Sequence, residues 1–254
     1  MKPQSITDKQ KIILLFLYKF RFVTANQLQK YFNHKDPHRV KEWLKDLKNK
    51  KYISAIVDSK DITKPYIYCL GTYARQTLLK NNCNEDYLNR IYKEKRLSST
   101  FKYHCLFIVN IYLFFRSQQK KNSTLNFCTQ QDLKGFDYLP KDLDAYIEVK
   151  DNNEVNRYFL ELFDEYRKST GEGRYAVRKY ISYSEEGNWQ ANTNNSPFPS
   201  ILFVQSDERR KKHIQYYGKA KLEKTFEDIN IFQTTQNAIR FSKIGQNIWQ
   251  IVQV

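Results

Sequence analysis

Glycine and proline are scarce, with seven and six among 254 residues. Flexible linkers and proline-rich spacers need more of both, so little of the chain reads as disordered linker. Cysteine is scarce too. Cys69, Cys83, Cys105 and Cys128 form no C-x-x-C pair and lie in apolar or scattered contexts, which argues against a structural zinc site. Reduced, buried thiols in a cytoplasmic setting are the expectation. Long apolar runs are missing as well. Ile12–Leu17 is short and periodic with no small-residue cleavage site behind it, so no secretory signal is read. Cys105–Phe115 is broken by Asn110 and falls far short of the ~20 apolar residues of a spanning helix. No membrane association through a spanning segment is expected.

Acid is the last shortage. The chain carries 43 Lys/Arg against 27 Asp/Glu, a formal net charge of +16. Residues 1–97 hold 21 Lys/Arg against 9 Asp/Glu, a net +12, whereas residues 98–254 hold 22 against 18, a net +4. The front of the chain is the electropositive part, and such a field attracts nucleic acid or an anionic membrane surface.

The front is organised as short helices. Thr7-x-x-Gln10 and Thr24-x-x-Gln27 have capping-box form, each ahead of apolar residues at helical spacing. Asp36-Pro37 starts a third helix, since Asp caps and Pro suits the first turn. Its apolar residues Val40, Trp43, Leu44 and Leu47 fall within an arc of about 100°. His38, Lys41, Glu42 and Lys45 lie opposite. Tyr52–Val57 and Pro65–Leu70 read as a hairpin around a polar tip, with Thr72–Lys80 as a closing helix. Three helices and a hairpin are the order of a winged helix-turn-helix, whose third helix enters the major groove of duplex DNA. The residues expected to contact DNA are His38, Arg39, Lys41, Lys45 and Lys48 on and after that helix, with Lys60 and Lys64 on the wing. Residues 1–82 are read as the DNA-binding domain and 83–97 as a charged helical connector.

Residues 98–254 are read as an α/β domain with a central mixed sheet, making the whole chain α+β. Ser98–Ser117 is a helix buried nearly all round that contains His104. Two acidic strands carry the chemistry: Leu139–Val149 and Arg157–Asp164, joined by the turn residues Lys150–Glu154. Tyr158–Phe163 is apolar except for Glu161, and a buried carboxylate must be paired, hydrogen-bonded or bound to a cation. Asp144 and Glu161 on neighbouring strands would suit Mg²⁺ or Mn²⁺ in phosphodiester chemistry. Pairing of Glu161 with Arg157, Arg178 or Lys179 is the structural alternative. Glu185–Ser196 is read as a surface loop, Phe226–Thr234 as a last core strand and Ile248–Val254 as an edge strand.

The chain resembles the replication-relaxation family of plasmid and mobile-element proteins. The resemblance rests on Phe22-Val-Thr-Ala-Asn-Gln-Leu28, His104 with Val109-Asn110, Asp144-Ala145, Phe159-Leu-Glu161, Lys179-Tyr180, and Phe198–Val204 followed by Ser206 and Arg209-Arg210. It implies a winged helix joined to a domain related to PD-(D/E)xK nucleases, with overlap to the C-class mobilisation relaxases. By the same resemblance Asp144 and Glu161 match the two metal-binding acids. Where the pattern has lysine this chain has Phe163, so the lysine's role would pass to Lys179 or Lys150. Three readings follow: a protein that binds an origin-like duplex in replication or mobilisation, a Mg²⁺- or Mn²⁺-dependent DNA nickase, or a transcriptional regulator with an inactive second domain. A homodimer is an open expectation, because helix-turn-helix proteins commonly bind paired half-sites.

Overall fold

The computed structural model describes residues 4–57, 61, 63–152, 154–166, 170–225 and 227–252. Lys60, most of the expected wing tip around it, and Phe226 lie outside the described residues. The chain divides into two compact units, Met1–Leu113 and Phe114–Val254.

The first unit begins with α1 (Asp8–Phe20), α2 (Ala25–Phe32) and α3 (Pro37–Asn49). Both threonine capping boxes form: the Gln10 and Gln27 amides each donate to the threonine hydroxyl three residues before them, at 3.3 Å. The Asp36 carboxylate accepts from the His38 amide at 2.8 Å, and Pro37 occupies the first helical turn. A hairpin follows, β1 (Ile53–Ile56) against β2 (Ile67–Leu70), antiparallel. The link at Arg21–Val23 does more than connect helices. Val23 and Tyr68 exchange backbone hydrogen bonds at 3.1 and 2.8 Å, which ties the α1–α2 connection to β2.

Three more helices complete the order: α4 (Ala74–Leu79), α5 (Glu85–Glu94) and α6 (Ser99–Ser117). The sequence suggests a charged helical connector over 83–97; α5 is the helix there, and it buries Leu88 and Ile91 completely. At its C-terminal end Glu94 lies 2.9 Å from both Arg21 and Arg90. The Gln27 side-chain amide donates to the Leu106 carbonyl at 2.7 Å and to Asn110 at 2.8 Å. Phe101, Cys105 and Leu106 share one core cluster with Phe22, Ile67 and Cys69. These contacts place α5 and most of α6 with the helices and hairpin, so the compact division falls inside α6 rather than near residue 97. The Tyr92 hydroxyl donates to the Gly71 carbonyl at 2.6 Å, and burial pushes its pKa up to about 12, which keeps it a donor at neutral pH.

The second unit is built on a six-stranded mixed sheet in the order β3-β4-β5-β6-β7-β8. Its strands are β3 (Thr124–Thr129), β4 (Ala145–Asp151), β5 (Glu154–Leu162), β6 (Ser200–Gln205), β7 (Ile231–Thr235) and β8 (Gln250–Ile251). The first three run antiparallel, β5 to β7 run parallel, and β8 closes antiparallel. The parallel steps need crossovers. The first contains α7 (Thr170–Glu185) and the short α8 (Asn188–Asn192), and the second is α9 (Glu208–Leu222). A last turn of helix, α10 (Gln236–Phe241), is capped by Thr235.

Three expectations change here. The first acidic strand begins at Ala145 rather than Leu139, because Pro140 and the left-handed Asp142 (φ 62°) keep the preceding residues irregular. The stretch Glu185–Ser196 is not a plain surface loop. Trp189 on α8 is buried and its indole nitrogen donates to the Ser196 and Pro197 carbonyls at 3.0 and 3.1 Å. The last core strand begins at Ile231. One core cluster lies on the sheet face where Phe159, Phe203 and Ile231 meet Val177, Tyr180, Tyr183 and Ile214, and Ile147, Leu160, Leu162, Leu202 and Val204 are buried on the other face. Among the described residues no helix is long and apolar enough to cross a membrane.

Candidate functional site

Two groups of residues carry functional potential, one in each unit. In the first unit the inward residues of α3 are Val40, Leu44 and Leu47, all essentially inaccessible. Helical periodicity then forces the intervening positions outward. His38, Arg39, Lys41, Lys45 and Lys48 are all exposed along that outer side. Glu42 is the acid among them and lies 3.4 Å from His38. Lys64, three residues before β2, has its ammonium 5.2 Å from the centre of the Tyr103 ring. Trp43 is half-buried rather than fully inward, and packs edge-on against Phe32 and His34.

In the second unit Glu161 is 3 % exposed and belongs to β5. Alternation along the strand puts it on the same face as Phe159, which stacks on Tyr180 of α7. On that face the Glu161 carboxylate accepts from the Tyr180 hydroxyl at 2.9 Å and pairs with the Lys179 ammonium. Lys179 also donates to the Lys141 carbonyl at 3.1 Å. Neighbouring positions on α7 therefore serve one carboxylate. The sequence marks Lys179 as a candidate, whereas Tyr180 reads only as a core ring; nothing in a helical pattern shows where a hydroxyl ends.

Asp144 lies one residue before β4. The ladder pairs Ala145 with Leu160, and unbroken register would set Asp144 opposite Glu161. Instead the Asp144 amide donates to the Leu160 carbonyl at 3.1 Å, a one-residue offset of the kind a bulge produces. The Asp144 carboxylate in turn accepts from the Leu162 amide at 2.7 Å. A side chain thus satisfies a backbone donor on β5 next to Glu161. The other sequence candidates go elsewhere. Lys150 lies 3.6 Å from Glu148, Arg157 bonds Glu148 at 3.2 Å, and Arg178 donates to Tyr217 at 2.7 Å. Phe163 is core: its ring meets Phe203 edge-on at 5.3 Å.

The fit of a divalent ion can be judged from these donors. Asp144 and Glu161 offer the hard oxygens that Mg²⁺ and Mn²⁺ prefer. As arranged, however, one Glu161 oxygen takes both an ammonium and a hydroxyl, and Asp144 serves a backbone amide. Among the described residues no group of three or more His, Cys, Asp or Glu side chains is placed to hold a metal. In this arrangement Glu161 is engaged by an ion pair and a hydroxyl, and Asp144 by a backbone amide.

The replication-relaxation family model matches residues 14–198, most of the chain. The chain belongs to the replication-relaxation family. The match spans α3, Asp144, Glu161 and Lys179 and ends short of α9. No curated protein matches the chain. One similar solved structure is the restriction endonuclease FokI, at 10 % identity and a TM-score of 0.34, covering 93 % of this chain and 44 % of that one. The chain thus spans less than half of that protein's length, and a likeness of that size carries no argument.

Proposed function

We propose that this replication-relaxation protein binds duplex DNA at an origin-like site of a plasmid or mobile element, acting in replication initiation, relaxation or mobilisation. In this reading the first unit is a winged helix and α3 its recognition helix. The observation that carries it is the division of α3 into a buried apolar side and an exposed side bearing His38, Arg39, Lys41, Lys45 and Lys48. The concentration of charge in residues 1–97 supports the same reading, since phosphate neutralisation dominates DNA affinity. The triple variant Lys41→Gln/Lys45→Gln/Lys48→Gln in the full chain is expected to bind duplex DNA at least about tenfold more weakly at low salt. The slope of log affinity against log salt should fall by about 1 for each phosphate contact removed. An unchanged slope in a fluorescence anisotropy titration would show that α3 is not the DNA-facing element.

The second unit we read as a PD-(D/E)xK-like core whose acids hold the fold. Phe163, a core ring where the pattern has lysine, is what favours this over a metal-dependent nickase; the Lys179 ammonium at Glu161 suits either reading. The two readings differ in an assay of supercoiled origin plasmid with Mn²⁺. Wild type and Glu161→Gln are expected to nick equally little; nicking by wild type that the variant loses would make Glu161 part of a metal site.

A further inference from the structure

We infer that the outer side of the α7–α9 pair is a binding surface for single-stranded nucleic acid, separate from α3 and independent of the duplex reading given to it. Charge is the first reason. Residues 208–224 contain seven Lys/Arg and two Asp/Glu, a net +5, while the whole of residues 114–254 nets only +3 with 21 against 18. The rest of the unit is therefore slightly acidic, and its positive field originates on α9.

Geometry is the second. Gly173 lets the two helices approach closely: a Cβ there would stand 2.6 Å from the Ile214 side chain. At that separation the helices bond side chain to side chain in step. Arg174 donates to the His213 ring at 2.8 Å, and one turn further on Arg178 donates to the Tyr217 hydroxyl at 2.7 Å. The Arg174 guanidinium also lies 5.4 Å from the centre of the Tyr217 ring, and the Lys221 ammonium 5.9 Å. Arg174 and Arg178 are thus held in fixed positions by the neighbouring helix instead of waving in solvent. Prior ordering lowers the entropy lost when a backbone is gripped.

The third reason is aromatic. Tyr216 on α9 is 77 % exposed and stands one turn after the exposed Lys212, and Tyr175 on α7 is 57 % exposed and stands three residues before Arg178, spacings that make neighbours on a helix surface. Exposed rings among ordered cations are what unpaired bases require, since every base has a face to stack and every nucleotide a phosphate to neutralise. A duplex hides its base faces and would gain only the charge term. The ligand this surface fits is therefore a single strand, with Arg174, Arg178 and Lys212 toward phosphates and Tyr175 and Tyr216 toward bases.

The test uses the full chain and fluorescein-labelled oligo-dT, with a mixed-sequence duplex of equal length measured alongside. Tyr175→Ala/Tyr216→Ala is expected to weaken oligo-dT binding by at least about tenfold and to change duplex binding by less than twofold. The triple variant Lys41→Gln/Lys45→Gln/Lys48→Gln should do the reverse. Both tyrosines are exposed, so the double variant should keep the wild-type melting temperature, which circular dichroism checks. Oligo-dT affinity within twofold of wild type in the tyrosine variant would overturn the proposal. So would equal weakening of single-strand and duplex binding, because the face would then be a general polyanion contact.

Discussion

Lys179→Met is expected to lower the free energy of unfolding by ~3–5 kcal/mol, the usual cost of removing one partner from a buried ion pair. Glu161 is only 3 % exposed, and without the ammonium it keeps the Tyr180 hydroxyl as a polar contact but loses its counter-charge. The loss should come mostly from the abandoned carboxylate. Adding Glu161→Gln to Lys179→Met is therefore expected to recover much of the stability, giving a coupling of more than about 1 kcal/mol in a double-mutant cycle. Lowering the pH should also rescue the single variant, because a buried carboxyl deprived of its ammonium takes up a proton more readily. Urea unfolding of wild type, both single variants and the double variant measures all of this. If Lys179→Met unfolds at the wild-type midpoint, the pair contributes nothing and the case for a structural role of Glu161 collapses.

A second large effect is expected at Gly71, and it has a backbone origin. This residue follows β2 and donates its amide to the Tyr52 carbonyl at 2.6 Å, while its own carbonyl accepts from Tyr92. A Cβ at this position would lie 2.7 Å from Ile53 N and from the Tyr52 carbonyl carbon, and would also collide with the Lys51 carbonyl oxygen. All three are main-chain atoms at the entry to β1, so no rotamer change can relieve the overlap. Gly71→Ala is expected to cost about 3 kcal/mol, the upper part of the range for overpacking a close contact. Amide exchange should quicken at Ile53–Ile56, where the displaced segment enters the hairpin. A variant with wild-type melting temperature and unchanged exchange would show that β1 has room to yield.

Much of the architecture is legible in local chemistry. Thr7, Thr24 and Asp36 announce three helix starts because a cap acts within three residues of itself. The exposed cations of α3 follow from the spacing of Val40, Leu44 and Leu47 alone. The strand around Glu161 is legible as a buried one because apolar residues flank the acid on both sides in sequence. Less local features were not. The run Leu139–Val149 interleaves apolar residues with acids as a strand does, but Pro140 and the left-handed Asp142 keep its first part irregular. The polar segment containing Trp189 resembles a loop in composition, yet one large ring buried against the sheet is enough to order it.

Local residue patterns are enough to bury Glu161 and demand a partner for it, to give α3 a basic side, and to set helices and a hairpin ahead of a mixed sheet. Each of these depends on neighbours a few residues away. Long-range packing makes Lys179 the partner and not Arg157 or Arg178, and brings the Leu162 amide to the Asp144 carboxylate. Those choices depend on how α7 is rotated over the sheet and on a one-residue offset beside β5. Both arise from packing among segments about eighteen residues apart, which no periodicity within either segment encodes.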